Sequence, residues 1–454
     1  MTIKRSQAGD VEVRVNVYRD GQKLQNAEGS DNIYDFIQAI EIYESITSAT
    51  LEAKFVITDG SGFFGAMTGS ELFKVQIIGT IIDKTYYFRA YEIQSRTRYN
   101  TSDSFIVNCA SDEFFKNEVN NVFGNSEVVF KSTEASEIVR EILIDKRFLQ
   151  TKKKLFLEET INKQLFVAPN WRPFDCIYWL SQRSVRKAKK GGTLQNGFLF
   201  YENSLGYHFK SIDGIIDGVN NQTESKTNFN SGKAKLYTYV YSTKKVGDQA
   251  ADQFKIESVT FPEERDFLSG LRHGSWSGFS IGFDPVTVTS SKMGLSTDMS
   301  VDAYRYGIKD LWSRMSHLNE KKTKNPVVQM DKSIQSMIDY PKRVRYTMLP
   351  NQNFDPKFKN SPQKNYEELV ELQAYQWMRI ESLKNIKLMI QIPGNLDLYA
   401  GSGMNIVLPA TYKKNTKTDI DRKYSGKYVI GGITHKIVGT RMTTEALLLK
   451  DSTI

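Results

Sequence analysis

The feature that most constrains this fold is a series of short stretches near the N-terminus in which apolar and polar residues alternate. The first, VEVRVNVYRDGQKL, places two such runs on either side of Asp20-Gly21, a dipeptide typical of a tight β-hairpin turn. Further runs are IEIYESITSATLEAKFVITDG, ELFKVQIIGTII, KTYYFRAYEIQSRTRY and DSFIVNCA. Because no helical period separates them, these runs indicate an antiparallel barrel or sandwich. Of the two, we predict a β-barrel over residues 1–110.

The pattern changes after residue 110, where helical and strand periods mix. SEIVREILID places four apolar residues on one helical stripe, namely Ile138, Val139, Ile142 and Leu143. PFDCIYWLSQRSVRKAKKGG begins with Pro173, well suited to a first helical turn, and ends at a glycine pair. We predict a separate α/β insert domain over residues 111–232, ended by the polar linker DGVNNQTESKTNFNSGKAK.

Strand-like segments return in two later parts of the chain. KLYTYVYS, DQFKIESVTF and GFSIGFDPVTVTSSK occupy the first part, and IKLMIQIPGN, GMNIVLPA, GKYVIGGITHKIV and TTEALLLKD the second. We expect residues 233–298 and 384–454 to form a second β-barrel, similar in topology to the first. Residues 299–383 are predicted to be a helical and irregular extension that contains the helical segments VDAYRYGIKDLWSRMSHLNEK and YEELVELQAYQWMRIESL. The predicted class is β-rich α+β.

The stretch GFLFYENSLGYHFKSID (residues 197–213) concentrates aromatic rings and raises the choice between a ligand platform and a core. Residues 198–201 are all large and apolar, which is typical of a strand covered on both faces. Tyr207 and Phe209 share one face of the returning strand, with His208 and Lys210 on the other. A stacking platform for bases or sugars would keep its rings on an exposed face. We therefore predict that these rings are core residues.

Charge and cysteine content set limits on partners and compartment. The formal charge of +9 is compatible with an anionic partner, but the basic runs are short: KKK at 152–154 and VRKAKK at 185–190. The two cysteines, Cys109 and Cys176, form no CxxC motif and are interpreted as reduced core thiols of a chain made in a cytoplasm. The N-terminus lacks the apolar stretch of a secretory signal, and no window reaches the ~18–20 apolar residues of a membrane span.

One motif matches a cofactor pattern. Gly60, Gly62 and Gly65 in VITDGSGFFG form GxGxxG after a strand. A dinucleotide site needs a following helix whose N-terminus holds the pyrophosphate. Here the next strand begins too soon for a parallel crossover, which takes about a dozen residues or more. We interpret the motif as a glycine-rich turn.

Searches for a catalytic or metal site give weak candidates. GSWSG resembles a nucleophile elbow but has Trp276 where the serine must stand. The four histidines, His208, His273, His317 and His435, lack ligand spacing in the sequence. Glu158 and Glu159, or PEERD at 262–266, could supply a carboxylate pair of the glycosidase type. We predict no catalytic residues, no cofactor and no metal.

The same segments resemble a known family. GFLFYENSLGYHFKSID after a Pro-initiated helix looks like the insert domain of the baseplate hub proteins of contractile-tailed phages, and VITDGSGFF followed by GSELFKVQI is similar to their first unit. QAYQWMRIESLKNIKLMIQIPGNLDLYAGSGMNIVLP, SGKYVIGGITHKIVG and TTEALLLKD resemble the wider late control protein D family, which includes the hub part of type VI secretion spike proteins. The resemblance covers about two thirds of the chain and leaves residues 299–372 unplaced.

The resemblance implies a non-enzymatic assembly protein. Family members carry two similar β-barrels and form a homotrimer, so that six barrels surround a channel, stack on the hexameric tail tube and accept a trimeric central spike. The implied partners are tail tube or tube-initiator proteins, the spike, other baseplate (wedge) proteins and the tape measure protein, with DNA only in transit and no membrane. The implied location is the virion tail baseplate, assembled in the host bacterial cytoplasm. Secretion spike proteins continue into a needle where this sequence stops, which favours a phage or phage-like particle.

Three alternatives stay open at this point. The chain could be a hub component of a phage-like contractile injection particle. A baseplate cell-wall hydrolase would show an acid pair in a deep cleft. A nucleic-acid-binding module would retain DNA with a steep salt dependence.

Overall fold

The fold is β-rich α+β. The computed structural model describes residues 7–25, 29–123, 129–187, 194–224, 235–241, 249–262, 266–284, 289–290, 304–319, 323–339, 343–348, 362–410 and 420–453. Its largest element is a mixed sheet of 15 strands, beside which lie four smaller sheets in this part of the chain.

The N-terminal strands form the first part of the large sheet. They are β1 (Glu12–Arg19), β2 (Gln22–Lys23), β3 (Ile37–Ser45), β4 (Glu52–Asp59), β5 (Leu72–Ile78), β6 (Asp83–Tyr99) and β7 (Ser102–Ala110). Every pairing among them is antiparallel, as predicted. The predicted hairpin turn is confirmed: Asp20 and Gly21 join β1 to β2 with φ of 49° and 77°. Alternate residues such as Val13, Val15 and Val17 are buried in one apolar cluster, which accounts for the observed sequence alternation.

The middle of the chain mixes helices and short strands. They are α1 (Asp112–Val119), β8 (Val122–Phe123), β9 (Val129–Glu134), α2 (Ala135–Ile144), β10 (Lys154–Leu157), β11 (Lys163–Val167), β12 (Pro169–Trp171), α3 (Pro173–Ser181), β13 (Phe198–Asn203), β14 (Gly206–Ser211), α4 (Ile212–Asn220) and β15 (Thr223–Glu224). The predicted stripe of α2 is buried. Helix α3 starts at Pro173 as predicted but ends well before the glycine pair, because Val185 and Arg186 instead form backbone bridges to Asn196 and Thr160.

The aromatic stretch is core, as predicted. Strands β13 and β14 pair antiparallel, and nearly all of their side chains are buried on both faces. The ring of Phe200 lies 5.5 Å from that of Phe174 and 5.7 Å from that of Tyr207, measured between centroids. His208 is stacked between Phe156 and Tyr201 rather than facing solvent.

The chain then starts the second part of the large sheet and leaves it again. It starts with β16 (Lys235–Tyr241), α5 (Gln249–Asp252), β17 (Lys255–Ile256) and β18 (Ser258–Thr260). The excursion that follows contains α6 (Phe267–His273), β19 (Ser277–Asp284), β20 (Thr289–Ser290), β21 (Tyr304–Gly307), α7 (Ile308–Trp312), α8 (Lys332–Asp339), β22 (Val344–Met348) and α9 (Pro362–Leu383). The long helix predicted from YEELVELQAYQWMRIESL is present as α9.

Two elements of the excursion differ from expectation. We expected GFSIGFDPVTVTSSK in the second barrel, but β19 and β20 belong to a separate four-stranded sheet with β21 and β22. The segment predicted as one helix from VDAYRYGIKDLWSRMSHLNEK holds β21 and, within its described residues 304–319, only the short helix α7. The alternating tyrosines Tyr304 and Tyr306 fit a strand better than a helix, and Tyr306 is buried against this sheet.

Four closing strands complete the second part of the large sheet. They are β23 (Ile386–Pro393), β24 (Gly403–Val407), β25 (Gly426–Val438) and β26 (Arg441–Lys450). The order in the first part, omitting the short β2, is β1-β5-β6-β7-β4-β3. In the second part, omitting the two-residue strands β15 and β17, both of which pair with β16, it is β16-β24-β25-β26-β23-β18. Numbered along the chain, both orders read first, fourth, fifth, sixth, third, second. Only the outermost pairing differs, since β1 runs antiparallel to β5 and β16 runs parallel to β24.

The strand pairing among the described residues closes neither part into the barrel that we expected. The outer edge of β3 does not return to β1, and instead pairs antiparallel with β25 of the second part. The two parts are therefore one continuous sheet. Each keeps its own apolar cluster on the covered side.

Candidate functional site: the polar face of the shared sheet

Strand β25 is the element that joins the two parts of the sheet. Up to Val429 its outer edge pairs with β24. Its register on β26 shifts between Ile430 and Gly432, and beyond this bulge the same edge pairs with β3, with Gly432 opposite Ser45. A bulge adds a residue and bends the strand, which lets one edge serve two neighbours in turn.

On the face opposite the apolar clusters, two rows of mostly polar residues cross the junction between the two parts of the sheet. One row of mutually opposed residues runs through Glu52, Tyr43, Thr434 and Glu445, on four neighbouring strands. The next row runs through Lys54, Glu41, Lys436 and Thr443. A shallow concavity of about 380 Å³ lies over this junction. The two rows carry both acidic and basic side chains, and the apolar Met389 and Leu447 line the concavity beside them.

Electrostatic pairing stabilises the face at the junction. Lys436 Nζ lies 3.3 Å from Glu41 Oε1, and the hydroxyl of Tyr43 donates a hydrogen bond to Glu41. Partial burial of Glu41 opposes its ionisation, but the bonds from Tyr43 and Lys436 outweigh burial and lower its pKa. Burial raises the pKa of the neighbouring Glu52.

A buried carboxylate fixes the junction from the apolar side. Glu44 is fully buried, and its carboxylate accepts hydrogen bonds from the backbone N–H groups of Ser204 at 2.9 Å and Ala400 at 3.0 Å. Burial raises the pKa of Glu44. The residue thereby connects β3, the β13–β14 turn and the segment before β24. Our sequence reasoning missed it, although an acid on the apolar phase of IEIYESI, in line with Ile40 and Ile42, was a usable signal.

A second buried charge network was also missed. The guanidinium of Arg379 on α9 lies 3.4 Å from Asp213 and 3.3 Å from Asp451, and all three side chains are fully buried. Asp451 also accepts from His317 Nδ1 at 2.8 Å, and the hydroxyl of Tyr375 donates to Asp213 at 2.8 Å. His317 is partly buried, and its Nε2 lies 2.8 Å from the backbone carbonyl oxygen of Trp312, so both ring nitrogens have partners within the fold. The network ties α9 to α4 and to the chain end.

The glycine motif forms a turn, as predicted. Gly62 has φ of 73° and starts a 3-10 helix, Phe63–Ala66, that leads directly to β5. The carboxylate of Asp59 caps this turn by accepting from the backbone N–H groups of Ser61 at 2.9 Å and Phe64 at 2.8 Å. The chain passes from β4 to β5 through this four-residue 3-10 helix, so the α-helix whose N-terminus would hold a pyrophosphate is not present at this turn.

The candidate carboxylates are engaged in ion pairs or caps. Glu158 pairs with Arg186, and Glu159 lies 2.6 Å from Lys187. Of PEERD, residues 263–265 lie outside the described part of the chain, and Asp266 caps α6 by accepting from the N–H of Ser269 at 2.9 Å.

GSWSG is also structural. Gly274 ends α6 with a left-handed φ of 67°, and Trp276 is buried. The motif therefore forms a helix end and the start of β19, without the strand-to-helix turn of a nucleophile elbow.

The histidines and cysteines stay apart. His208, His317 and His435 belong to different clusters, and His273 is exposed at the end of α6. Within the described residues, no group of three or more His, Cys, Asp or Glu side chains could hold a metal ion. Cys109 and Cys176 are free and buried, as predicted, and burial raises the pKa of both thiols.

The basic runs are partly neutralised. Lys153 lies 2.6 Å from Glu113 and also pairs with the buried Glu202, while Arg186 lies 2.8 Å from Asp217. Residues 188–190 of VRKAKK lie outside the described part of the chain. Among the described helices, none combines the length and apolarity needed to cross a membrane.

Comparison with known proteins gives the class of this fold. No protein-family model matches the sequence, and no curated protein matches it. The 43 kDa tail protein of prophage MuSo2 from Shewanella oneidensis has a TM-score of 0.52 at 8% identity, over 98% of this chain and 100% of that chain. The tail protein from Neisseria meningitidis MC58 has a TM-score of 0.49 at 9% identity, over 97% of both chains. A chain of the Francisella PdpA-VgrG complex has a TM-score of 0.45 at 10% identity, over 99% of this chain and 53% of that one.

The fold is therefore that of the phage tail proteins, as the sequence resemblance predicted. The match to the MuSo2 tail protein supports this fold, because it extends over 98% of this chain and 100% of that protein.

Proposed function

We propose that this chain is a structural hub protein of a contractile-tail baseplate. Three copies form a ring that joins the hexameric tail tube to the trimeric central spike and leaves a channel for DNA. The observation that carries the proposal is the repeated strand order, first-fourth-fifth-sixth-third-second, in the two parts of one sheet.

The repeat would let a three-fold ring contact a six-fold ring. A closed ring contacts a partner ring well only where their symmetries match. Two like units per chain, taken three times, present six similar units to a six-fold tube, while the chain itself keeps the three-fold symmetry that a trimeric spike requires. The tail-protein fold of the MuSo2 relative is consistent with this role.

The domain division follows from the same proposal. Residues 1–110 form the first tube domain, and 233–298 with 384–454 the second, each a barrel-type unit that is completed by its neighbours in the ring. Residues 111–232 form the insert domain, and 299–383 the extension that contacts other baseplate proteins. The small sheet of β19 to β22 argues for moving β19 and β20 from the second tube domain to the extension.

The channel wall in this proposal is the polar face of the shared sheet. One of its rows alternates in sign through Lys54, Glu41 and Lys436, and the neighbouring row contains the acidic Glu52 and Glu445. Tight retention of DNA needs a net excess of basic contacts to phosphates. A mixed wall suits transit instead, with the protein acting without catalysis in a virion tail.

The assembly state tests the proposal. Native mass spectrometry and negative-stain microscopy of the purified chain, alone and mixed with its spike protein, should give a trimeric ring with a central pore. The buried interface should exceed ~2,000 Å², as in obligate assemblies. A stable monomer or dimer in both samples would rule the hub role out.

A further inference from the structure

The long strands β6 and β25 are equivalent elements of the repeat. Strand β6 leaves its outer neighbour β5 after Arg89, as β25 leaves β24 after Val429. Each then has a register shift against its hairpin partner, between Ala90 and Glu92 in β6 and between Ile430 and Gly432 in β25. Strand β6 has a second shift, between Gln94 and Thr97, that β25 lacks, so residues 97–99 next to the turn are the part whose pairing matches residues 436–438. Both hairpins end in a turn with a left-handed residue, Asn100 with φ of 54° and Gly439 with φ of 57°.

Beyond the bulge, β6 and β25 differ in whether another strand pairs with their outer edge. In β25 that edge is paired with β3. In β6, within the described residues, the corresponding segment 91–99 pairs with β7 alone. Its tyrosines stand in solvent, with Tyr91 exposed at 45% and Tyr99 at 76%. An unpaired edge of this length is a ready template for another strand.

The counterpart of β3 in the second part of the sheet is β18. Val259 lies opposite Ile390 of β23, in the position that Ile40 occupies opposite Phe55 of β4. In the part of the chain that the structure describes, β18 pairs with β23 alone, so its outer edge has no strand. Ser258 and Thr260 are exposed. Among the described residues, the repeat thus leaves two unpaired edges. One belongs to β6, which lacks a partner equivalent to β3, and the other belongs to β18, which lacks a partner equivalent to β25.

We propose that the outer edge of β18 in one chain pairs antiparallel with the end of β6, residues 97–99, in a second copy, reproducing between chains part of the β3–β25 junction found within one chain. The proposal rests on the ring assembly proposed above and names the contact that closes it. A contact between two different edges is head-to-tail, and such contacts close into rings when the rotation permits.

The internal junction also sets the register. Lys436 lies opposite both Thr443 and Glu41. In the first part Thr97 takes the place of Lys436, since it lies opposite Ser104 of β7, and Thr260 takes the place of Glu41, since it lies opposite Met389 of β23. Between chains, Thr97 therefore lies opposite Thr260, and Arg98 opposite Val259.

Disulfide trapping tests this register. Facing residues of antiparallel strands have Cα atoms about 4.5–5.5 Å apart, within the range of a disulfide. The double variant Thr97→Cys/Thr260→Cys of the full chain should give a covalent trimer under mild oxidation, reversed by reductant. The matched control Thr85→Cys/Thr260→Cys uses an exposed threonine on the part of β6 that pairs with β5, and should stay monomeric on a denaturing gel.

The outcomes separate the two proposals. A native trimer whose Thr97–Thr260 variant forms no bond between chains overturns the edge pairing and leaves the hub assembly standing. A chain that stays monomeric in native mass spectrometry overturns both. Equal cross-linking of the control overturns the register.

A charge exchange gives a second readout without oxidation. Thr97→Lys/Thr260→Glu copies the internal Lys436–Glu41 pair and should keep the concentration of half-dissociation within about threefold of wild type. Thr97→Glu/Thr260→Glu places like charges opposite each other and should raise that concentration by roughly tenfold or more. Equal behaviour of the two variants, with both folded by circular dichroism, contradicts the pairing.

Discussion

At the residue scale, several buried polar residues of this protein occupy strand positions where the alternation predicts an apolar core residue. Glu44 follows Ile40 and Ile42 on the buried side of β3, and His435 stands between Ile433 and Ile437 on the buried side of β25. Burial lowers the pKa of both His208 and His435 to about 3, so both are neutral near neutral pH. The local alternation predicts that such residues are buried. It does not predict their hydrogen-bond partners, because these lie in distant parts of the chain.

The core role of the aromatic stretch gives a stability prediction. Phe200→Ala should lower the free energy of unfolding by ~3–5 kcal/mol, because it removes buried apolar surface and leaves a cavity between Phe174 and Tyr207. Chemical denaturation measures the change, with Leu205→Ala in the exposed turn of the same hairpin as the control. A Phe200→Ala protein of unchanged melting temperature that loses ligand binding would restore the platform interpretation.

His208 gives a pH prediction. Its folded pKa of about 3 lies below the ordinary value near 6.5, so the unfolded chain binds more protons between these limits. Its contribution to stability is complete above about pH 6.5 and is lost progressively as the pH falls toward 3. At pH 5 the loss reaches about 2 kcal/mol.

The measurement is urea unfolding at pH 7.5 and pH 5. His208→Gln keeps a donor toward Asn203 but cannot titrate, so wild type should lose about 2 kcal/mol relative to this variant at the lower pH. Parallel losses in the two proteins would assign the pH dependence to other groups.

At the element scale, periodicity located most helices and strands but not which sheet each strand joins. The helix predicted from YEELVELQAYQWMRIESL has apolar residues at i, i+4, i+7 and i+8. In α9 three of them, Val370, Ala374 and Met378, are buried, and the fourth, Trp377, is half-buried. Nothing in the local pattern of GFSIGFD distinguishes a strand of the large sheet from one of the small sheet, because both bury one alternating face. The Arg379–Asp213 contact likewise joins residues far apart in sequence, which composition cannot pair.

The Arg379 network should stabilise the position of α9. Arg379→Met leaves Asp213 and Asp451 buried without their cation and should lower the free energy of unfolding by ~3–5 kcal/mol. The control is Arg314→Met, which removes an exposed ion pair with Glu371 of 3.0 Å and should cost at most about 1 kcal/mol. Similar losses in the two variants would mean that the buried network contributes no more than a surface pair.

At the scale of the whole molecule, two β-rich parts of related topology were predictable, but their connection was not. Each part can be recognised in the sequence from several stretches of alternating apolar and polar residues with turns between them. The β3–β25 register depends on the relative position of residues at opposite ends of the chain, which no window of sequence contains. The same long-range pairing explains why the expected closed barrels are replaced by one continuous sheet.

The absence of turnover is a prediction for the whole molecule. Incubated with peptidoglycan, nucleotides or DNA, the purified protein should catalyse no reaction, because the candidate carboxylates Glu158 and Glu159 are held in ion pairs and the partly buried His317 is hydrogen-bonded to Asp451. Turnover that disappears on substitution of one acidic residue or histidine, with the fold intact by circular dichroism, would instead identify a hydrolase.

The β3–β25 pairing also determines the order in which the chain can fold during synthesis. Strands β1 to β7 leave the ribosome together and can pair at once, but the partner of the β3 edge is among the last segments made. At about 5–20 residues per second, that edge waits tens of seconds for its cover. Throughout that interval the nascent chain exposes an open strand, so the step most vulnerable to misassociation between ribosome-bound copies comes before β25 emerges.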